Sequence, residues 1–218
     1  MKGVFHDTFT SLRILNPSVL HPSLNTVMFD NLATKSDKDK SSNNNSTIFL
    51  SINRYERKKN IALAIQAFEH LLKKQNQKKC DSLKLVIAGG YDLRVPENVE
   101  YHSELKTMAE KARIGSQVEF LQSPSDQTKV ELLKNSDCLL YTPSGEHFGI
   151  VPIEAMYNKL PVIAVNDGGP METVVDGETG FLKRSVHVLL SILYQNFILI
   201  LSKFHLNIIF LLFIYLVF

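Results

Sequence analysis

Two glutamates, Glu146 and Glu154, stand with seven residues between them in the stretch SGEHFGIVPIEA, residues 144–155. Gly149 between them lets backbone approach a ligand closely. Pro152 suits a first helical turn, where the N–H it lacks would have no helical partner. A helix beginning near Gly149 presents the free amides of Gly149, Ile150 and Val151 at its positive dipole end, where they could cradle a phosphate. Glu154, inside that helix, is placed to accept hydrogen bonds from two neighbouring hydroxyls, such as a ribose diol. Glu146, on the loop before it, is placed to meet a sugar or an attacking group. Acids at this spacing are common on ordinary surfaces, so the weight comes from what surrounds them.

Arg54 and Lys59, in NRYERKKN, supply the cations that a diphosphate needs, and an arginine can grip it with a forked pair of bonds. Their neighbours Arg57 and Lys58 read as a solvated helix start. In NDGGPMETV, Gly168 and Gly169 permit close approach to a ligand, and Glu172 lies near a short helix start. Other chemistries lack support: there is no G-x-G-x-x-G and no G-x-x-x-x-G-K-[ST]. Asp37-Lys38-Asp39 has the D-x-D form of some metal-dependent sugar transferases but sits in a polar loop, so no metal is expected. The histidines are scattered, with His147 alone near the expected cleft. Asn44 and Asn45 each open an N-x-[ST] sequon, which matters only in the secretory lumen. Cys80 and Cys138 lack metal-type spacing and read as reduced thiols.

The elements that must position these residues follow from apolar patterning. With 218 residues the chain has length for one sizeable domain, and a formal charge of +2 gives no argument for a nucleic-acid partner. TIFLSI (47–52), LKLVIAGG (83–90), VEFL (118–121), CLLYT (138–142), PVIAV (161–165) and GFL (180–182) read as strands. Helical patterns lie between them, at Ile61, Ile65, Phe68 and Leu72, over 101–113, over 126–136 with Val130 and Leu133 inward, after Gly149, and near Glu172. Repeated βα units with continuous apolar strands predict an α/β, Rossmann-like parallel sheet with helices on both faces. Ligands of such sheets bind beyond the carboxyl ends of the strands, and Asn53-Arg54, Gly89-Gly90, Ser144–Gly149 and Asn166–Gly169 all follow strands.

Three parts are expected. Residues 1–46 read as irregular, ending in the polar run TKSDKDKSSNNNS. Residues 47–183 form the nucleotide-binding domain. Residues 184–218 form an apolar tail, in which Lys203 is the one formally charged residue from Val186 onward. A span over 197–218 has the length of a membrane helix, with Lys203 near one end where it could snorkel, so the tail reads as a candidate anchor or as a non-native extension.

EHFGIVPIE resembles the E-x7-E signature of retaining, nucleotide-sugar-dependent enzymes of glycosyltransferase family 4, which have the GT-B fold. FLSINRYERKKNIALAIQAF, VIAGGYDLRVPENVEYHSEL, LLYTPSGEHFGIVPIEAMY and PVIAVNDGGPMETV extend the likeness over roughly residues 3–182, toward the members that transfer mannose to dolichol-linked oligosaccharides. The resemblance implies GDP-mannose as donor, a dolichol-diphosphate-linked Man-GlcNAc2 acceptor, α-1,3 and α-1,6 linkages, and the cytosolic face of the endoplasmic reticulum membrane. Other enzymes of the dolichol pathway are implied as partners. It also implies roles: Arg54 and Lys59 on the diphosphate, Glu154 on the ribose, the amides after Phe148 on the distal phosphate, and Glu146 beside the transferred sugar. Cationic side chains, with no metal, would neutralise the leaving GDP. A GT-B enzyme has two Rossmann-like domains, and this sequence matches the second. It departs from the family after TGFL, so a partial or alternatively spliced product is expected, either active, a silent GDP-sugar-binding fragment, or a non-functional truncated isoform.

Overall fold

A computed structural model describes residues 7–8, 10–12, 20–36, 46–75 and 80–183. The apolar tail, the Asp37-Lys38-Asp39 stretch and the asparagines of both sequons lie outside the described residues.

Six strands form one parallel sheet: β1 (Thr47–Ile52), β2 (Leu83–Gly89), β3 (Val118–Gln122), β4 (Cys138–Tyr141), β5 (Val162–Val165) and β6 (Gly180–Lys183). Successive side chains of a strand point to opposite faces, so a strand covered on both sides is apolar at nearly every position. That is why TIFLSI and CLLY read as unbroken runs: the last four residues of β1 and all of β4 are buried. Phe49 enters the core on one face of the sheet and Leu50 the core on the other.

Helices α2 (Ile61–Lys73) and α3 (Pro96–Lys111) cover the Phe49 face. Helices α4 (Asp126–Asn135) and α5 (Ile150–Tyr157) cover the Leu50 face, and α6 (Pro170–Thr173) is a single turn between β5 and β6. Ile61, Ile65, Phe68 and Leu72 of α2 and Val130 and Leu133 of α4 point inward as their spacing predicts. Helix α3 begins at Pro96, five positions before the expected start. Proline in the first turn loses no helical hydrogen bond, so a residue that reads as a breaker here opens the helix.

The segment expected to be irregular contains a helix, α1 (Thr26–Ser36). An 11-residue helix is marginal by itself, but Phe29 is 1% exposed in the Leu50-face core. Burying it contributes roughly 1.5–3 kcal/mol. Leu24, Met28 and Leu32 flank it there, and the Tyr157 hydroxyl donates to Asp30 Oδ1 at 2.7 Å.

The strand order is β3-β2-β1-β4-β5-β6. The chain leaves β1 for β2 and β3 on one side, then crosses back to β4 on the other side of β1. Loops leaving β1 and β4 therefore diverge at the carboxyl edge, and the crevice between them is where such sheets bind ligands.

Candidate functional site

The loop after β1 is fixed from below. A Cβ on Gly89 would lie 1.8 Å from the Asn53 carbonyl oxygen, so β2 can pass under this loop only as glycine. Buried Tyr55 anchors the next turn, its hydroxyl donating between the carbonyls of Ile87 (3.0 Å) and Leu121 (3.1 Å), and burial raises its pKa. A single 3-10 turn, Arg57–Lys59, follows, and Asn60 in the left-handed region (φ 48°) joins it to α2. Arg57 is exposed, as expected from the sequence, and makes contacts besides. Its guanidinium lies 2.5 Å from Glu104 Oε1 and 5.6 Å from the Tyr101 ring centre, and its amide donates to Glu97, so it ties the turn to α3. Arg54 stays on its own loop, paired with Glu56 at 2.8 Å and largely exposed.

Lys59 crosses the crevice. Buried Thr142, just past β4, donates to the Lys59 carbonyl at 2.9 Å, and the Lys59 ammonium forms an ion pair with Glu146. The loop bearing Glu146 is held by main-chain contacts. Gly169 N donates to Glu146 O at 2.6 Å and Gly145 N donates to Asp167 Oδ2 at 2.9 Å. A Cβ on Gly168 (φ 62°) would lie 2.4 Å from Glu146 O, and one on Gly169 2.2 Å from Phe148 O. The freedom of these two glycines, read from the sequence as room for a ligand, is taken up by the neighbouring protein backbone.

Helix α5 starts at Ile150 with Gly149 (φ 75°) as its N-cap, so no capping side chain stands over its first amides. Phe148, beside them, is buried and stacks on His21 with ring centres 5.1 Å apart. Tyr141 lies beneath, 3% exposed, its ring 3.4 Å from where a Cβ of Gly149 would stand. Burial first, then the charges of Glu146 and Glu154, push the Tyr141 pKa upward, so this phenol lies within the field of both carboxylates.

Glu154 is 7% exposed. The Lys129 ammonium, from the first turn of α4, lies 2.6 Å from each carboxylate oxygen, but only the contact with Oε1 has hydrogen-bond geometry. Oε2 is buried and accepts no hydrogen bond. Sequence reasoning missed Lys129, Tyr141 and Thr142. The one available signal for Lys129 was a cation in a first helical turn, where it opposes the helix dipole.

Lys59, Glu146, Phe148, Gly149, Ile150, Val151, Gly168 and Gly169 thus meet at one edge of the sheet, with Glu154 beneath them and Arg54 beyond Gly90. Glu172 is exposed on α6, its amide donating to Gly169 O at 2.9 Å. Two carboxylates each paired with a lysine from another element, beside uncapped helix amides, suit recognition of an anionic ligand bearing hydroxyls. Among the described residues no three His, Cys, Asp or Glu side chains cluster as a metal site, and no helix is long and apolar enough to cross a membrane.

Residues 33–187 match the family described as Glycosyl transferases group 1. This chain belongs to that family. It is 49% identical over 180 residues to alpha-1,3/1,6-mannosyltransferase ALG2 of Homo sapiens, covering 83% of this chain and 43% of that protein. The namesake of Dictyostelium discoideum is 44% identical over 194 residues, covering 83% of this chain and 46% of that protein. The chain thus spans less than half the length of these curated relatives. Among solved structures, sucrose-phosphate synthase of Thermosynechococcus elongatus superposes with a TM-score of 0.71 at 20% identity, covering 91% of this chain and 49% of that one. The C-terminal domain of the group 1 glycosyl transferase LpcC of Francisella tularensis superposes with a TM-score of 0.60 at 22% identity, covering 87% of this chain and 91% of that domain. These likenesses show a Rossmann-like sheet of the GT-B type, as the βα pattern predicts.

Proposed function

We propose that the chain carries the donor half of a retaining mannosyltransferase and binds GDP-mannose at the β1–β4 crevice. Arg54 and Lys59 hold the diphosphate, and the amides of Gly149, Ile150 and Val151, led in by Phe148, hold the distal phosphate. Glu154 accepts the ribose hydroxyls, and Glu146 lies beside the transferred sugar, with Gly168, Gly169 and Glu172 on the adjoining loop. The acceptor is a dolichol-diphosphate-linked Man-GlcNAc2, extended through α-1,3 and α-1,6 linkages at the cytosolic face of the endoplasmic reticulum membrane, in company with other enzymes of that pathway.

The observation that carries this reading is the paired arrangement of the two glutamates, Glu146 with Lys59 and Glu154 with Lys129, around Tyr141. The names of the curated relatives supply mannose as the sugar. In this mechanism the bond from the anomeric carbon to the diphosphate breaks through an oxocarbenium-like state, the acceptor hydroxyl oxygen bonds to that carbon on the same face, its proton passes to the departing diphosphate, and negative charge gathers on that GDP. Lys59 and Arg54 stabilise that charge without a metal, and the helix amides add fixed dipoles that need no reorganisation. Lys59 leaves Glu146 for the diphosphate as the donor enters, which uncovers the carboxylate next to the sugar.

Calorimetry with GDP and GDP-mannose, followed by transfer of labelled mannose to a lipid-linked acceptor, tests the reading. Both nucleotides are expected to bind the purified chain and to raise its melting temperature. Absence of any GDP binding would overturn the donor site. GDP binding without transfer would identify a nucleotide-sugar-binding unit in place of a transferase.

A further inference from the structure

Lys129 has no role in the reading above, yet its setting sets it apart from the other lysines of the described surface. Its ammonium stands 2.6 Å from both oxygens of a carboxylate whose side chain is 9% exposed. It reaches that position from the first turn of α4, where a cation opposes the helix dipole and a carboxylate partner offsets that cost. The turn itself is well fixed: Ser125 is the N-cap of α4, its hydroxyl accepts from Thr128 N at 3.1 Å, and its carbonyl accepts from Lys129 N at 2.8 Å. Lys129 and Glu154 therefore meet from two helices packed on the same face of the sheet, 25 positions apart in sequence.

A buried carboxylate with no cation beside it is costly, and nothing then fixes which way its oxygens face. Paired with an ammonium it keeps both oxygens as acceptors. In the structure the ammonium stands close to both oxygens, with hydrogen-bond geometry toward Oε1 alone, and Oε2 is buried and accepts no hydrogen bond. A carboxylate oxygen with acceptor capacity left, beside an ammonium with N–H groups to spare, offers an acceptor and donors side by side. Vicinal hydroxyls present the matching set.

We propose that Lys129 is the positioning residue for Glu154, holding its carboxylate as an oriented ion pair that keeps acceptor capacity for a vicinal diol of the nucleoside. The proposal rests on the donor-site reading. It adds that recognition of the ribose is a property of two residues, and that the lysine acts through the glutamate.

The test compares GDP with 2′-deoxy-GDP, which lacks one hydroxyl of the diol, by calorimetry on the full chain. A hydrogen bond to a charged group is worth about 1.5–3 kcal/mol, so wild type should prefer GDP by roughly tenfold or more. Lys129→Met should bring the preference close to one, and Lys129→Arg, which restores the cation, should recover most of it. Lys129→Gln serves as a second uncharged variant if the methionine does not fold, with a thermal melt as the check on folding. A lysine that merely supported the fold would weaken both nucleotides alike and leave their ratio untouched. That result, or a wild type that binds both nucleotides equally, would overturn the proposal while leaving the donor site standing. A wild type that binds neither would remove the donor site itself.

Discussion

The two glutamate–lysine pairs look alike on paper and differ in how they are held. Glu146 rides on a loop whose position is set by backbone contacts with Gly168 and Gly169, and its partner Lys59 comes from a single helical turn. Glu154 and Lys129 both stand on helices, and the Glu154 side chain is 9% exposed against 25% for Glu146, whereas Lys59 is the more buried of the two lysines. A carboxylate nearer to water loses less when its cation turns to another anion, because water solvates it again. The loop pair is therefore suited to exchanging partners when an anion enters, and the helix pair to staying formed throughout.

Neutralising each carboxylate in turn gives the largest expected contrast. Glu154→Gln leaves a partly buried ammonium with half its compensation and should cost about 2–3 kcal/mol of stability. Glu146→Gln removes the more exposed carboxylate but leaves a partly buried Lys59, so it should cost about 1–2 kcal/mol, and by freeing Lys59 it should tighten GDP binding roughly two- to fivefold while lowering transfer. Urea unfolding and calorimetry read both; equal stability losses would erase the distinction between the pairs. An effect of similar size on stability is expected from Gly169→Ala, whose new Cβ must push the Phe148 backbone away. It should destabilise by about 1–3 kcal/mol, as overpacking does. It should also weaken GDP binding through the displaced Glu146 loop, whereas unchanged binding would mean that the loop does not set the site.

The smallest effect concerns the phenol between the pairs. Burial and the two carboxylates raise the Tyr141 pKa above the ordinary 10.0, so the folded chain holds this proton more tightly than the unfolded one. Its contribution to stability is complete below about pH 10 and is lost as pH rises beyond that. Tyr141→Phe should flatten the fall of melting temperature above pH 10, with a remaining slope from Tyr55, whose pKa is also raised by burial. A slope identical to wild type would show that Tyr141 does not report on the carboxylates.

The sheet was readable from sequence because buried parallel strands are apolar on both faces, and runs such as TIFLSI have few other uses. The sheet edge that gathers the candidate residues was readable for a related reason: the polar and glycine-rich residues all follow strands. Helix α1 was not, since four apolar side chains in a polar segment define a helix only once the groove beside Tyr157 is there to receive them. The Gly168-Gly169 pair announced a close approach, but a sequence does not say whether ligand or backbone makes it. Lys129 was hidden most completely, because its partner is defined by packing of α4 and α5 on the sheet and no spacing in the chain encodes that meeting.

Gly89 under Asn53 and Gly168-Gly169 under Glu146–Phe148 have a consequence for how this crevice can change over time. At both places main chain rests directly on main chain, so neither loop can gain or lose a residue without lifting its neighbour. Side chains projecting from the loops carry no such restriction. New specificity at this edge is thus open to exchange of residues and closed to insertion, which makes point substitution the natural unit of variation in any library built on it.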